Sequence, residues 1–223
     1  MKNYINVTYK NKLKTNYPIK LIKYLLRTNR HKMYDTYNLP KQPKVLDLGS
    51  GRGEYLLAFG TYGMTVEGFD RCLPDETFKA YPFTLGDIEK PLPYKNNSFN
   101  IVFAKSVIEH FYYPENLFQE VYRILEPGGC FITLTPDWNS TKEIFHEDFT
   151  HRTRFTKQSV NDIYKIHGFQ KVKTKLIRQL PFTWYNAWLS FICNIASKFY
   201  NKDTKNRLIK FSQEKMILGI GVK

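Results

Sequence analysis

Val45-Leu-Asp-Leu-Gly49-Ser-Gly51-Arg-Gly53-Glu54 decides the reading of this chain. Lys44 to Leu48 alternates like a short buried strand, and Glu54 to Phe59 reads as the helix that follows it. Between them three glycines let the chain turn tightly and let the backbone come close to a ligand, while the helix start offers unpaired N–H groups. A nucleotide-like ligand is expected here. The dinucleotide fingerprint places its third glycine five residues after the first, against a pyrophosphate. Here Gly53 follows Gly49 by four, and Asp47 stands two residues ahead of Gly49. A carboxylate at that place suits a ligand with a cationic ammonium group better than one with two phosphates.

Outward from this stretch, strand and helix patterns alternate as in a parallel α/β sheet. Thr65 to Phe69, Tyr81 to Leu85, Phe99 to Ala104 and Cys130 to Leu134 read as strands two to five. Pro114 to Leu125 reads as a helix opened by proline and stopped before Pro127-Gly128-Gly129, with Leu117, Phe118, Val121, Ile124 and Leu125 on its core face. A polar loop from Thr135 to Thr156, a helix from Lys157 to His167 and an alternating strand from Lys171 to Arg178 come next, and Met216 to Val222 reads as the last strand. One domain is expected: a basic helical extension over 1–43, with Ile19 to Tyr37 as one or two amphipathic helices, a cofactor-binding core over 44–180, an aromatic and basic helical insertion over 181–214 and a final strand over 215–223.

Asp70 comes twenty-one residues after Gly49, at the end of the second strand, where a carboxylate accepts both hydroxyl hydrogens of a ribose. Gly86-Asp87-Ile88 follows the third strand, Glu109-His110 follows the fourth, and Glu126-Pro-Gly-Gly129 precedes the fifth. Together with the glycine loop, which looks like motif I, these resemble class I S-adenosylmethionine-dependent methyltransferases of the type 11-like group over roughly residues 43–169. The resemblance implies a Rossmann-like seven-stranded, mainly parallel sheet with an antiparallel last hairpin. It implies S-adenosyl-L-methionine as cofactor, held by Asp47, Gly49, Ser50, Gly51 and Gly53 at the methionine part, by Asp70 and Arg71 near the ribose, by Asp87 and Ile88 at the adenine, and by Lys105. Two rivals share part of the pattern: an NAD-dependent oxidoreductase and a non-catalytic module that binds S-adenosylmethionine.

His146-Glu-Asp148-Phe-Thr-His151, with Phe155-Thr156 after it, resembles a family element near the acceptor side. Methyl transfer to a hydroxyl needs one base, and His151 and His110 are the candidates, since imidazole titrates near neutral pH and Asp148 or Glu109 can orient it. No metal is expected. Some ubiquinone-pathway O-methyltransferases hold one with Glu-x-x-Glu-His at this place, but Ser106 stands where the first carboxylate would, leaving one carboxylate and one imidazole. The spacing of His146, Asp148 and His151 fits no common site either. The fourth strand end also lacks the motifs of base- and ribose-modifying enzymes, so nucleic acid is not the expected substrate. The expected acceptor is a small molecule, a glycan or a lipid-linked intermediate, methylated on oxygen.

The 223 residues are 42% hydrophobic, with three scattered cysteines, Cys72, Cys130 and Cys193, which excludes a disulfide framework and implies a reducing, cytoplasmic setting. The N-terminus shows no signal peptide, and the most apolar window, Ala187 to Ala196, is about half a membrane span. The net charge of +14 divides into +10 over 1–44, −6 over 45–164 and +10 over 165–223. Such basic flanks either keep the chain soluble or attract an anionic partner. Trp184, Trp188, Phe191, Ile195 and Phe199 fall on one helical stripe, which either caps the sheet and closes the acceptor pocket or rests on an anionic membrane, with Lys198, Lys202, Lys205, Arg207 and Lys210 nearby.

Overall fold

The computed structural model describes residues 14–27, 39–196 and 206–223. Its strands are β1 (Lys44–Leu48), β2 (Thr65–Asp70), β3 (Phe83–Leu85), β4 (Phe99–Lys105), β5 (Leu125–Pro136), β6 (Gln170–Arg178) and β7 (Lys215–Val222). They form one sheet in the order β3-β2-β1-β4-β5-β7-β6. Strands β1 to β5 pair in parallel, and β7 runs antiparallel between β5 and β6. Strand β6 therefore points the same way as β5, and its end shares a rim with the ends of β1, β2 and β4.

Alternate side chains feed two apolar layers, as the pleat requires. Val45, Ile101, Phe103, Ile132 and Leu218 face one side, under α1 (Asn16–Arg27) and α2 (Glu54–Gly60). Leu46, Leu48, Val102 and Phe131 face the other, under α3 (Pro114–Ile124) and α4 (Lys157–Ile166). Helix α3 buries the expected stripe of Leu117, Phe118, Val121 and Ile124. Helix α4 is closed at its start by a capping box in which the Thr156 hydroxyl accepts from Ser159 N–H and the Ser159 hydroxyl from Thr156 N–H.

Several expected boundaries move. Tyr81 and Pro82 lie outside β3, because the Tyr81 N–H is taken by Phe78 O in a turn. Leu125 belongs to β5 and not to the helix. Phe99 pairs with Leu125 and Ile101 with Cys130, so Glu126-Pro-Gly-Gly129 is an excursion within the strand and not a turn before it. Gly128 takes φ 81° there and donates its N–H to Lys223 O at 3.0 Å.

The insertion breaks in two. A short 3-10 turn, Pro181–Thr183, buries Trp184, whose Nε1 donates to Arg178 O at 2.7 Å and whose ring meets Tyr17 and Tyr24 of α1. Helix α5 (Ala187–Ala196) then leaves Trp188, Phe191 and Ile195 exposed. Phe199, Lys198, Lys202 and Lys205 lie outside the described residues, as does the stretch from 28 to 38 that was expected to be helical. Helix α6 (Arg207–Gln213) leads into β7. Buried Arg178, at the end of β6, ties the pieces by donating to Ser212 O, Ser190 Oγ and Asn194 Oδ1. Among the described residues no helix is long and apolar enough to cross a membrane.

Phe118 is fully buried against Phe131, Tyr164 and Phe169. Phe118→Ala is expected to lower unfolding free energy by about 3–5 kcal/mol in a urea titration. A loss under about 1 kcal/mol would mean that α3 does not dock on β5 as described.

Candidate functional site

The sheet order reverses between β1 and β4, and in open α/β sheets the crevice outside the strand ends at such a point receives the ligand. The glycine loop leaves β1 there. Gly49, Gly51 and Gly53 take φ of 73°, 56° and 91°, a region that favours glycine. A Cβ on Gly49 would stand 2.5 Å from Val107 Cγ2, so the loop passes close under the segment that follows β4. A Cβ on Gly51 would meet nothing within 4 Å. The backbone at Gly51 thus borders open space.

Asp47 is buried at the end of β1, and its Oδ2 has no hydrogen-bond partner among the described residues. Burial, with Asp70 and Glu54 nearby, holds its carboxyl well above the usual carboxylate range, while Lys105 pulls it down. Ser50 Oγ beside it is likewise buried without a partner. An orphaned carboxylate oxygen and an orphaned hydroxyl at a glycine loop fit a ligand that brings its own ammonium group.

Asp70 is held in place by backbone donors: Gly51 N–H reaches Oδ2 at 2.9 Å and Cys72 N–H reaches Oδ1 at 3.0 Å. Each carboxylate oxygen keeps a second lone pair, the requirement for gripping a diol. Asp87 stands on the same rim, but Arg71 spends its guanidinium on Asp87 Oδ1 at 2.7 Å and on Glu89 at 3.3 Å. That pair braces the turn after β3, so the structure gives Arg71 a partner in Asp87 where direct contact with the cofactor was expected. Half-buried Ile88 lies beside the glycine loop, its Cδ1 3.6 Å from where a Gly49 Cβ would be.

Lys105 ends β4 between the two halves of the site. Burial lowers its ammonium, and Glu109, Glu54 and Asp47 raise it again. Beyond it the chain makes a 3-10 turn, Ile108–His110, that buries Glu109 completely. Glu109 Oε2 accepts from Thr135 Oγ1 of β5 at 2.9 Å, and Oε1 has no partner among the described residues. Burial pushes this carboxyl up to about 7 against the hydrogen bonds and Lys105 that hold it down. The Glu109 carbonyl accepts from Arg152 N–H at 2.8 Å and Thr153 N–H at 3.0 Å, so the turn after β4 and the loop after β5 are sewn together.

That stitching brings His151 to His110, with ring centroids 5.0 Å apart. His151 Nδ1 lies 2.7 Å from Phe145 O, which assigns that nitrogen the proton and leaves Nε2 as the acceptor, 3.9 Å from Asp148 Oδ2. His110 Nδ1 lies 2.8 Å from Thr150 Oγ1, which in turn donates to Asp148 Oδ1 at 2.6 Å. Burial, then the neighbouring His151, lowers the His110 imidazole. His146 turns away: its Nε2 sits 2.9 Å from the Arg154 guanidinium, which stacks on Trp138. Of the acids and histidines marked in sequence, the fold therefore brings Glu109, His110, Asp148 and His151 into one cluster, apart from His146. Sequence reasoning missed Thr135, Val107 and Glu54. Nothing in Phe131-Ile-Thr-Leu-Thr135 announces that one threonine will bond a buried carboxylate of the turn after β4.

A family model described as a methyltransferase domain matches residues 17–174. The chain belongs to the class I S-adenosylmethionine-dependent methyltransferases, in their type 11-like group. A ubiquinone/menaquinone biosynthesis C-methyltransferase of Neisseria gonorrhoeae is 32% identical over 124 residues, 49% of each chain. A sterol 24-C-methyltransferase of Yarrowia lipolytica is 29% identical over 147 residues, 56% of this chain and 36% of that one. The chain thus spans about half the length, or less, of these curated relatives. Among solved structures, an S-adenosylmethionine-dependent methyltransferase from Archaeoglobus fulgidus superposes with a TM-score of 0.60 at 21% identity, covering 92% of this chain and 94% of that one. A Haemonchus contortus phosphoethanolamine N-methyltransferase solved with S-adenosylhomocysteine gives 0.58 at 17% identity, covering 86% and 51%. The solved structures share the fold of this methyltransferase.

Because the Asp47 carboxyl is raised on folding, the folded chain keeps a proton that the unfolded chain gives up, and stability falls as pH rises through that window. Asp47→Asn is expected to flatten the decline in Tm of the ligand-free methyltransferase as pH rises above about 4. The same change is expected to weaken S-adenosylhomocysteine binding at least about tenfold by calorimetry, because the amino group loses its counter-charge. An unchanged dissociation constant would remove Asp47 from the site.

Proposed function

We propose that this chain transfers a methyl group from S-adenosylmethionine to the oxygen of an acceptor with an ionisable hydroxyl. The observation that carries this reading is the placement of two polar groups on one rim: the orphaned carboxylate and glycine loop at β1, and the Glu109–His110–His151 cluster just past β4. Asp47, Ser50 and the glycine loop would hold the methionine part, Asp70 the ribose, and Asp87 with Ile88 the adenine edge. The cofactor supplies a methyl group made electrophilic by sulfonium sulfur.

The protein's share of the work is alignment and removal of one proton. His151, held by its Nδ1 on Phe145 O, presents Nε2 as the acceptor, with Asp148 placed to stabilise the imidazolium. His110, oriented through Thr150, is the second base. A carbon conjugated with the hydroxyl is the alternative methyl acceptor. The C-methyltransferase names among the curated relatives favour it, and ionising the hydroxyl activates that carbon too.

For acceptor class, a lipid-linked molecule is the reading best supported, ahead of a water-soluble small molecule or a glycan. Helix α5 exposes Trp188, Phe191, Ile192 and Ile195 after the end of β6, on the rim that carries the site. With +10 on residues 165–223, that face suits the anionic inner surface of a membrane, which would give the enzyme a peripheral cytoplasmic location. Trp188→Ser with Phe191→Ser is expected to abolish co-sedimentation with phosphatidylglycerol vesicles. Equal sedimentation of variant and parent would remove α5 from membrane contact.

His151→Ala is expected to lower turnover about 10²-fold, followed as S-adenosylhomocysteine released over a panel of quinol and lipid-linked acceptors, with cofactor affinity retained. Unchanged turnover in both His151→Ala and His110→Ala would contradict the proposal.

A further inference from the structure

Glu109, His110 and His151 each turn one donor atom inward, and those three atoms lie within 4.8 Å of one another. Two features distinguish the cluster from an ordinary polar contact. Glu109 is fully buried, yet its Oε1 has no hydrogen-bond partner among the described residues, and a carboxylate oxygen removed from water is costly unless a donor or a cation meets it. His151 has its far nitrogen fixed on a backbone carbonyl at 2.7 Å, the arrangement that orients metal-bound imidazoles and raises their basicity.

We propose that Glu109, His110 and His151 bind a divalent transition-metal ion, with Asp148 near enough to add a second carboxylate. Glu109 and His110 alone are one carboxylate and one imidazole; the fold adds His151 from the loop after β5 as a third donor, where Ser106 withholds the first carboxylate of the Glu-x-x-Glu-His pattern. The donor set fixes the kind of ion. Two imidazoles and a carboxylate suit zinc, iron(II) or cobalt(II), whereas magnesium and calcium require oxygen nearly throughout.

Donors at 2.0–2.2 Å around a tetrahedral ion stand about 3.3 Å apart, so from a spread of 4.8 Å the cluster contracts by up to about 1.5 Å on binding. Side-chain rotation is enough for this, because Arg152 N and Thr153 N already bond the Glu109 carbonyl and hold the two backbones together. Lys105 and Asp148 both act electrostatically on Glu109, so an ion of charge +2 meets two carboxylates and one ammonium.

This inference rests on the methyltransferase reading for its purpose. An acceptor hydroxyl taken into an open position on the ion becomes more acidic. With an ion bound, the two imidazoles give up the base role proposed above: the O–H bond breaks with the proton passing to water, their lone pairs being committed to the metal. The electron pair stays on oxygen for the new bond to carbon.

The test is titration of chelator-stripped protein with cobalt(II), read by visible absorption and by thermal shift. One equivalent is expected to give saturable ligand-field bands, which zinc displaces and magnesium does not. Glu109→Gln and His151→Gln are each expected to weaken the cobalt midpoint at least about tenfold, with S-adenosylhomocysteine binding retained as the sign that both variants fold. Absence of the bands, or bands undiminished in Glu109→Gln, would overturn the site. If parent turnover survives chelation without cobalt bands, the metal proposal falls and the histidine bases stand. If S-adenosylhomocysteine fails to bind the parent while the bands appear, the methyltransferase reading falls and the metal site stands.

Discussion

The parallel pairing of β1 between β2 and β4 is the constraint on which the rest depends. Asp47 pairs in register with Gly68 on one side and Phe103 on the other, so the chain must leave β1 at the place where neighbouring connections diverge. Three of the polar groups on that rim are delivered by strand ends: Asp47 from β1, Asp70 from β2, Lys105 from β4. Gly68 lets Phe83 of β3 come close, since a Cβ there would stand 2.7 Å from its ring. The apolar layers on both faces make the rim rigid, which allows it to keep a carboxylate oxygen buried and unmatched.

From that rim the electrostatics run in one line. Lys105 lies under the influence of Asp47, Glu54 and Glu109 together, so it links the carboxylate of the glycine loop to the cluster beyond β4. Glu109 then fastens the loop after β5 through its backbone carbonyl and β5 itself through Thr135. The insertion reaches the same loop from outside, where Lys210 of α6 pairs with Glu147 at 3.5 Å. An ion pair thus connects the insertion to the loop that carries His151. An acceptor arriving along α5 would meet a loop already tied to the core.

Much of this was readable in the sequence because local patterns carried it. The glycine loop, the acids at strand ends and the stripe of α3 are properties of short windows, and the fold put them where those windows implied. What escaped was long-range. Leu125 joins β5 because Phe99 is there to pair with it, which the Pro-Gly-Gly run hides. The ion pair that Arg71 makes with Asp87, sixteen residues on, was not readable either. His151, His110 and their acids Glu109 and Asp148 were legible as separate residues, but that the turn after β4 and the loop after β5 bring them into one cluster, with Thr135 and Thr150 between, was not. The aromatic stripe divided for the same reason, since Trp184 finds Tyr17 and Tyr24 of a distant helix and the residues after it find no such cover in the described structure.

The central claim is that this rim encloses an adenosyl group joined to an amino acid. Isothermal calorimetry of the purified chain with S-adenosylhomocysteine and, separately, with NADH tests it most directly. The account predicts one saturable site for the first and no heat of binding for the second. Heat with NADH alone would contradict it.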